Sequence, residues 1–359
     1  MSLKKIAELA GTSASTVSRV LNNHEHSCNT PGLAEKIWRI AGEMDYLPNI
    51  AARSLRMGTQ PDDVPFSVDI FPARFDSLDK DFFFRELFQY IKEQLMAQGC
   101  LLGEVLKSID IMELNEKRPQ DAVIPYQPAA VSEGQKNPLA FVQRKANAGL
   151  IILGKCPKEL FSTLKRRYSC IVGIDRNPTE YEYDEVICNG ATAAEKAVEY
   201  LILLGHKNIA YIGDCTYESR YIGYYQALLN HKIPLNYDNI YPTGQTAGEG
   251  FRTMSAIIQS RNRPSAVFCA NDCTALGVLR ALKQHKRTGY LPSIISIDNI
   301  AESQKTEPML TTIDIPKKEM GHLALMLLLD RKNGGHRENV RIELPCRLLE
   351  RESCQYYVQ

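Results

Sequence analysis

A chain of 359 residues has room for a small domain beside a two-lobed one, since single hydrophobic cores stop growing at roughly 250–300 residues. Its composition, 44% hydrophobic and 24% charged, excludes a disordered chain. A net charge of +1 carries no whole-chain signal for a polyanionic partner, so any such signal must be local.

The first residues, Met1-Ser2-Leu3-Lys4-Lys5, lead into an amphipathic pattern and not into the apolar core of an export signal, which points to a cytoplasmic protein. Ile6, Leu9 and Ala10, then Val17, Val20 and Leu21, fall at helical spacing in two short runs. Gly11-Thr12-Ser13 lies between them, a glycine able to end one helix at positive φ and hydroxyls able to cap the next. Two short helices joined by such a turn make a helix-turn-helix. The outward side of the second helix would carry Ala14, Ser15, Thr16, Ser18 and Arg19, small or polar residues that let a helix sit against base-pair edges; the plain alternative is an ordinary helical hairpin. Residues 1–60 hold seven Lys/Arg against five acids, a modest positive footprint that two copies would double.

After a polar stretch at 22–26, Thr30-Pro31 opens a third helix with Leu33, Ile37, Ile40, Ala41 and Met44 inward and Trp38, the only tryptophan, among them. Pro48 to Gly58 has helix formers between a proline and a glycine, yet is too short to hold as a helix alone in water, which suits a hinge that folds against a partner. Residues 59–65, TQPDDVP, read as a linker.

Ile6-Ala7-Glu8-Leu9-Ala10-Gly11-Thr12-Ser13, Thr16-Val17-Ser18-Arg19-Val20-Leu21-Asn22, Tyr46-Leu47-Pro48-Asn49 and Ala51-Ala52-Arg53-Ser54-Leu55 together resemble the lactose/galactose/purine repressor family. The resemblance implies a homodimeric repressor on a pseudo-palindromic operator, with the second helix in the major groove and Leu55, beside Ala52, wedged into the minor groove. Ala14, Ser15 and Arg19 match the family's base-reading positions, with Thr16, Ser18 and Asn22 on the same stretch. Arg19 is the strongest base reader, because a guanidinium bridges O6 and N7 of guanine.

The remaining ~290 residues alternate strand-like and helix-like patterns. Strands are expected at 66–71, 150–153, 170–174, 209–212, 266–269 and 293–297, and helices at 82–97, 191–204, 219–230, 248–259 and 274–284. Such alternation predicts doubly wound parallel sheets, and ligands bind beyond the carboxyl ends of their strands. Asp175-Arg176, Arg220, Asn271-Asp272 and Asp298-Asn299 stand there. Converging carboxylates, amides and a guanidinium suit a ligand with many hydroxyls, although Asp and Asn after strands also serve as turn and cap residues. Leu204-Gly205-His206-Lys207-Asn208-Ile209, Arg220-x-x-Gly223, Ala270-Asn271-Asp272 and Pro308-x-Leu310-Thr311-Thr312-Ile313 resemble the same family's periplasmic-binding-protein-like core. That resemblance places Asp175, Arg220, Asn271 and Asp298 at effector-contact positions. Phe82 and Phe83 could supply a stacking face for a sugar ring or belong to the core. The loop after Asn22 is most similar to regulators of galactoside use, making a galactoside the effector expected here.

The expected division is a helix-turn-helix head at 1–47, a hinge and linker at 48–63, and a two-lobed core at 64–359. The first lobe would hold about 64–183 and 300–333, the second about 184–299 and 334–352. Residues 107–140, with four prolines and little periodicity, and the acidic loop 72–81 depart from the family pattern. No G-x-S-x-G, H-E-x-x-H, P-loop or G-x-G-x-x-G occurs, so no catalytic scaffold is indicated. The ten cysteines include no C-x-x-C and no neighbouring histidine at zinc spacing, so neither a metal nor a cofactor is expected. No run approaches the ~18 apolar residues of a membrane span. A nucleobase-sensing relative and a solute-binding protein without DNA function are the competing readings; crevice aromatics would favour the base, and residues 1–58 argue against the second.

Overall fold

A computed structural model describes residues 3–22, 32–33, 36–37, 39–40, 65–73, 81–108, 147–175, 177–179, 182–216 and 218–357. The expected hinge at 48–63, with Ala52 and Leu55, and most of the proline-rich stretch 107–140 lie outside these residues.

In the head, α1 (Leu3–Ala10) and α2 (Ala14–Asn22) are joined by a turn at Gly11, whose φ of 73° is a left-handed conformation that glycine adopts without strain. The Thr12 amide donates to the Ala7 carbonyl (2.9 Å) and the Gly11 amide to the Glu8 carbonyl (3.3 Å), so the turn satisfies carbonyls that α1 leaves open. The Ser13 hydroxyl then accepts from the Thr16 amide at 3.1 Å and caps α2. Ile6, Ala7, Ala10, Val17 and Val20 pack with Ile37 and Ile40 of the third segment into a closed small core. Leu9, one of the residues at helical spacing, is half exposed, whereas Ala7 is buried.

Among the described residues the core holds two six-stranded sheets. Six strands form the first: β1 (Ser67–Pro72), β2 (Leu101–Val105), β3 (Ala148–Leu153), β4 (Cys170–Asp175), β5 (Asp184–Ile187) and β11 (Arg341–Glu343). Their order is β11-β5-β4-β3-β1-β2, all parallel. The second takes β6 (Ile209–Gly213), β7 (Ile240–Pro242), β8 (Ala266–Cys269), β9 (Ser293–Asp298), β10 (Thr311–Asp314) and β12 (Arg347–Leu349). Its order is β12-β10-β9-β8-β6-β7, with only β12 antiparallel. Every residue of β3 and β9 is buried, the mark of parallel strands covered on both faces.

Helices α3 (Phe82–Ala97) and α9 (Lys317–Lys332) pair over the first sheet, and α4 (Lys158–Arg167) buries Leu160, Phe161 and Leu164 on the other face. In the second lobe α5 (Gly190–Leu203) pairs with α6 (Ser219–Asn230), and α7 (Ala247–Gln259) with α8 (Asp272–Gln284). Strand pairing moves the lobe boundaries from those expected: β5 and β11 belong to the first sheet and β10 to the second. Over the described residues the chain therefore changes lobe three times, after β5, after β10 and after β11. Among the described residues no helix is long and apolar enough to cross a membrane.

Candidate DNA-reading face and effector cleft

The outward side of α2 is open where it is described: Ser15 is exposed, and Ala14 and Thr16 are partly so. The Ser13 hydroxyl bonds both the Ser15 and the Thr16 hydroxyls at 2.8 Å, orienting the first turn. Ser18, Arg19 and Asn22 lie on the same helix, their side chains outside the described set.

Between the lobes, at the carboxyl ends of both sheets, opens a cavity of about 450 Å³. The first lobe contributes Phe84, the segment Gly154–Lys158, Asp175 and Asn177; the second contributes Asp214, Thr216, Glu218 and Arg220. Asp175 ends β4 and Asp214 follows β6, so the strand-end rule places both. Two expected residues, Asp175 and Arg220, thus line the cavity.

Arg220 is 1% exposed and sits in the first turn of α6. Its Nε donates to Glu218 Oε1 (2.8 Å) and its Nη2 to Glu218 Oε2 (2.7 Å), a two-point guanidinium–carboxylate fork. Nη1 donates to the Ala270 carbonyl at 2.8 Å and Nη2 also to Gln245 Oε1 at 2.9 Å. Burial works against the charge of Arg220, but the Glu218 carboxylate more than offsets it, so the guanidinium stays cationic. Gln245 holds this position with φ at 64°, a left-handed conformation unusual outside glycine.

Asn271 and Asp298 stand one layer further in. Asn271 caps α8, its Oδ1 accepting from the Thr274 amide (2.9 Å) and hydroxyl (2.7 Å), while its Nδ2 donates to the Gln245 carbonyl (3.2 Å). Gln245 links it to Arg220 of the cavity wall. Asp298 ends β9 with φ at 126°, and its carbonyl accepts from Lys317 Nζ at 2.6 Å. Asp272, the neighbour of Asn271, is fully buried; it accepts from the Ser296 hydroxyl (2.5 Å), the Thr312 hydroxyl (2.7 Å) and the Ile300 amide (2.8 Å).

The aromatic expectation needs correcting. Asp81 Oδ1 accepts from the Phe83 and Phe84 amides (2.9 and 3.2 Å) and so starts α3 at Phe82. Helical rotation then turns the three phenylalanines apart. Phe82 lies under the Arg85 guanidinium at 4.4 Å, and Phe83, 1% exposed, is core. Among the described residues the ring that lines the cavity is Phe84, which periodicity assigns to the core. Glu218 and Gln245 are not singled out by the sequence either: Glu218 follows no strand directly, and Gln245 sits in a turn with no motif. Among the described residues no three His, Cys, Asp or Glu side chains group as a metal site. The Cys156 thiol in the cleft is pushed up to about 12 by burial and by Glu159, which leaves it unreactive.

A helix-turn-helix head on a two-lobed sheet core with an inter-lobe cleft defines a DNA-binding regulator with an effector-binding domain. Residues 2–49 match the family described as bacterial regulatory proteins, lacI family, and residues 198–354 the periplasmic binding protein-like domain. The chain thus joins a LacI-family helix-turn-helix domain to a periplasmic-binding-protein-like domain. It is 26% identical over 361 residues to the HTH-type transcriptional repressor PurR of Mannheimia succiniciproducens, the match covering 98% of each chain. The PurR of Vibrio parahaemolyticus is 27% identical over 346 residues and 94% of each chain. Among solved structures, a transcriptional regulator CelR–cellobiose complex superposes with a TM-score of 0.66 at 21% identity, over 99% of this chain and 100% of that one. The lac repressor dimer bound to operator and the anti-inducer ONPF gives 0.65 at 21% identity, over 99% of both chains.

Proposed function

We propose that the chain is a homodimeric repressor of a pseudo-palindromic operator, read by Ala14, Ser15 and Arg19 and released or engaged by a small sugar in the inter-lobe cleft. The observation that carries the effector class is the lining itself. Among the described lining residues, Asp175, Asp214 and Glu218 present carboxylate oxygens and Asn177 an amide, beside the aromatic ring of Phe84. Sugar hydroxyls donate to the first and exchange hydrogen bonds with the second. Solved structures of the same fold hold cellobiose or ribose, in keeping with this reading. A galactoside is the first candidate. The Phe84 ring favours a second reading, a flat nucleobase acting as corepressor, and the repressors called PurR match over nearly the whole chain.

In the proposed cycle an effector that prefers one angle between the lobes shifts the population towards it, and the paired hinges of a dimer transmit that angle to the DNA. The test is an operator titration by fluorescence anisotropy at fixed salt, with full-length protein and a duplex selected from a randomised pool. D-galactose, lactose or ribose should change operator affinity by about 5-fold or more, the usual range of allosteric coupling. Sugars that raise the melting temperature but leave operator affinity untouched refute the coupling, and a response to hypoxanthine alone decides for the nucleobase. In the same assay Arg19→Ala should weaken the selected duplex more than a scrambled one; equal loss on both removes Arg19 as a base reader.

A further inference from the structure

We propose that Glu218 is the selectivity residue of the cleft: by occupying the guanidinium fork of Arg220 it admits neutral polyhydroxyl ligands and turns away phosphorylated ones. The inference rests on the sugar reading above and adds the charge class of the sugar.

A guanidinium is an anion receptor when its fork is free. Here four of its five N–H groups are spent inside the protein: Nε and Nη2 on Glu218, Nη2 again on Gln245, and Nη1 on the Ala270 carbonyl. A phosphate seeking Arg220 must displace Glu218, which is only 8% exposed and would be left as a buried carboxylate without its counter-ion. The alternative is to sit beside Glu218 with Asp214 also on that wall, against like charge. A neutral hydroxyl meets neither obstacle, since it brings no charge against Glu218 and Asp214 and need not displace the fork.

The arrangement is held in place. The Gln245 Nε2 amide also reaches Glu218 Oε2 at 3.4 Å, so one side chain clamps both members of the pair. That clamp needs Gln245 at φ 64°, and backbone strain of this kind persists where the surroundings enforce it. The cations on the opposite wall, Lys155 and Lys158, are exposed at the mouth, where water already solvates them. Among the described lining residues these two are the cations outside the Arg220 pair that could favour a phosphate, which gives the proposal a sharp way to fail.

Isothermal titration of full-length protein with matched pairs decides it: galactose and galactose 6-phosphate, glucose and glucose 6-phosphate, ribose and ribose 5-phosphate. Wild-type protein should bind the neutral member of at least one pair ten-fold or more tighter than its phosphate. Glu218→Gln keeps the shape and one acceptor while freeing the Arg220 charge, and should cut that ratio at least ten-fold. A wild-type preference for the phosphate overturns the proposal without any variant being needed. A ratio unchanged in a Glu218→Gln protein that melts cooperatively overturns it as well, while the sugar reading stands. Binding of hypoxanthine and of no sugar removes the sugar reading and this inference with it.

Discussion

Asp272 is a carboxyl that the fold holds in an uncommon state. Burial first, and then the charge of Asp298, push it up to about 7 from an ordinary value of 3.8. The folded chain therefore keeps a proton at this site through a pH range in which the unfolded chain has lost it. Its stabilising effect is complete below about 4 and disappears as pH rises through about 7. Asn at 272 would reproduce the protonated form, its oxygen accepting from the Ile300 amide and its NH2 donating to the Ser296 and Thr312 hydroxyls. Asp272→Asn should thus flatten the fall in melting temperature between pH 5 and 8, and gain stability at pH 8; a variant that keeps the wild-type slope would place the titration elsewhere. At this scale the sequence was partly legible. Asp175 ends a strand and Arg220 stands in the opening turn of the helix that follows β6, so both could be placed at the cleft from pattern. Glu218 could not, because its role is a bond to a residue two positions along a bend that only the fold defines. Phe84 was masked by its own periodicity, which fits a core position and a cleft position equally well.

At the level of elements, α7 and α8 make a crossing so close that neither tolerates a side chain at the contact. A methyl built on Gly277 would overlap the Ala247 carbonyl, and one on Gly250 the Thr274 carbonyl. Gly277→Ala should cost roughly 1–3 kcal/mol by overpacking and lower the melting temperature by several degrees. Gly248→Ala lies on the same helix but meets only Arg252 at ordinary distance, and should be neutral or slightly stabilising. Calorimetry of the two variants checks the contrast. The long periodic elements of the second lobe were legible to within a few residues, since each buries one face. The edge strands β7, β11 and β12 were not, because three residues carry no period. Helix α9 escaped for the opposite reason. Its leucine run surrounds most of the helix and shows no stripe, although α3 and the first sheet cover it.

Across the whole molecule, each lobe is assembled from distant pieces of chain. The first sheet needs β11 from near the carboxyl end, and its helical layer needs α9. Asp184, at 0% exposure, makes the dependence electrostatic too: Arg331 of α9 grips it with Nε and Nη2 at 2.6 and 2.7 Å, and His336 adds a contact at 2.9 Å. Burial works to raise this carboxyl, but these bonds and the Val340 amide outweigh it and hold Asp184 below its usual range. A fragment of residues 65–189 should therefore lack a cooperative unfolding transition and expose apolar surface to a dye such as ANS, since it would leave Asp184 a buried charge without partners. A sharp melting transition in that fragment would show that the lobe folds by itself.

The interleaving also bears on how such regulators can be recombined. The head is one uninterrupted stretch, so a single crossover in the gene can give this core a new operator. Lobe exchange has no such shortcut: swapping half of the ligand cleft between two relatives takes cuts at all three crossings at once. New ligand preference in this chain should consequently arise by point changes around Glu218 and Arg220, whereas new target sites can be acquired wholesale.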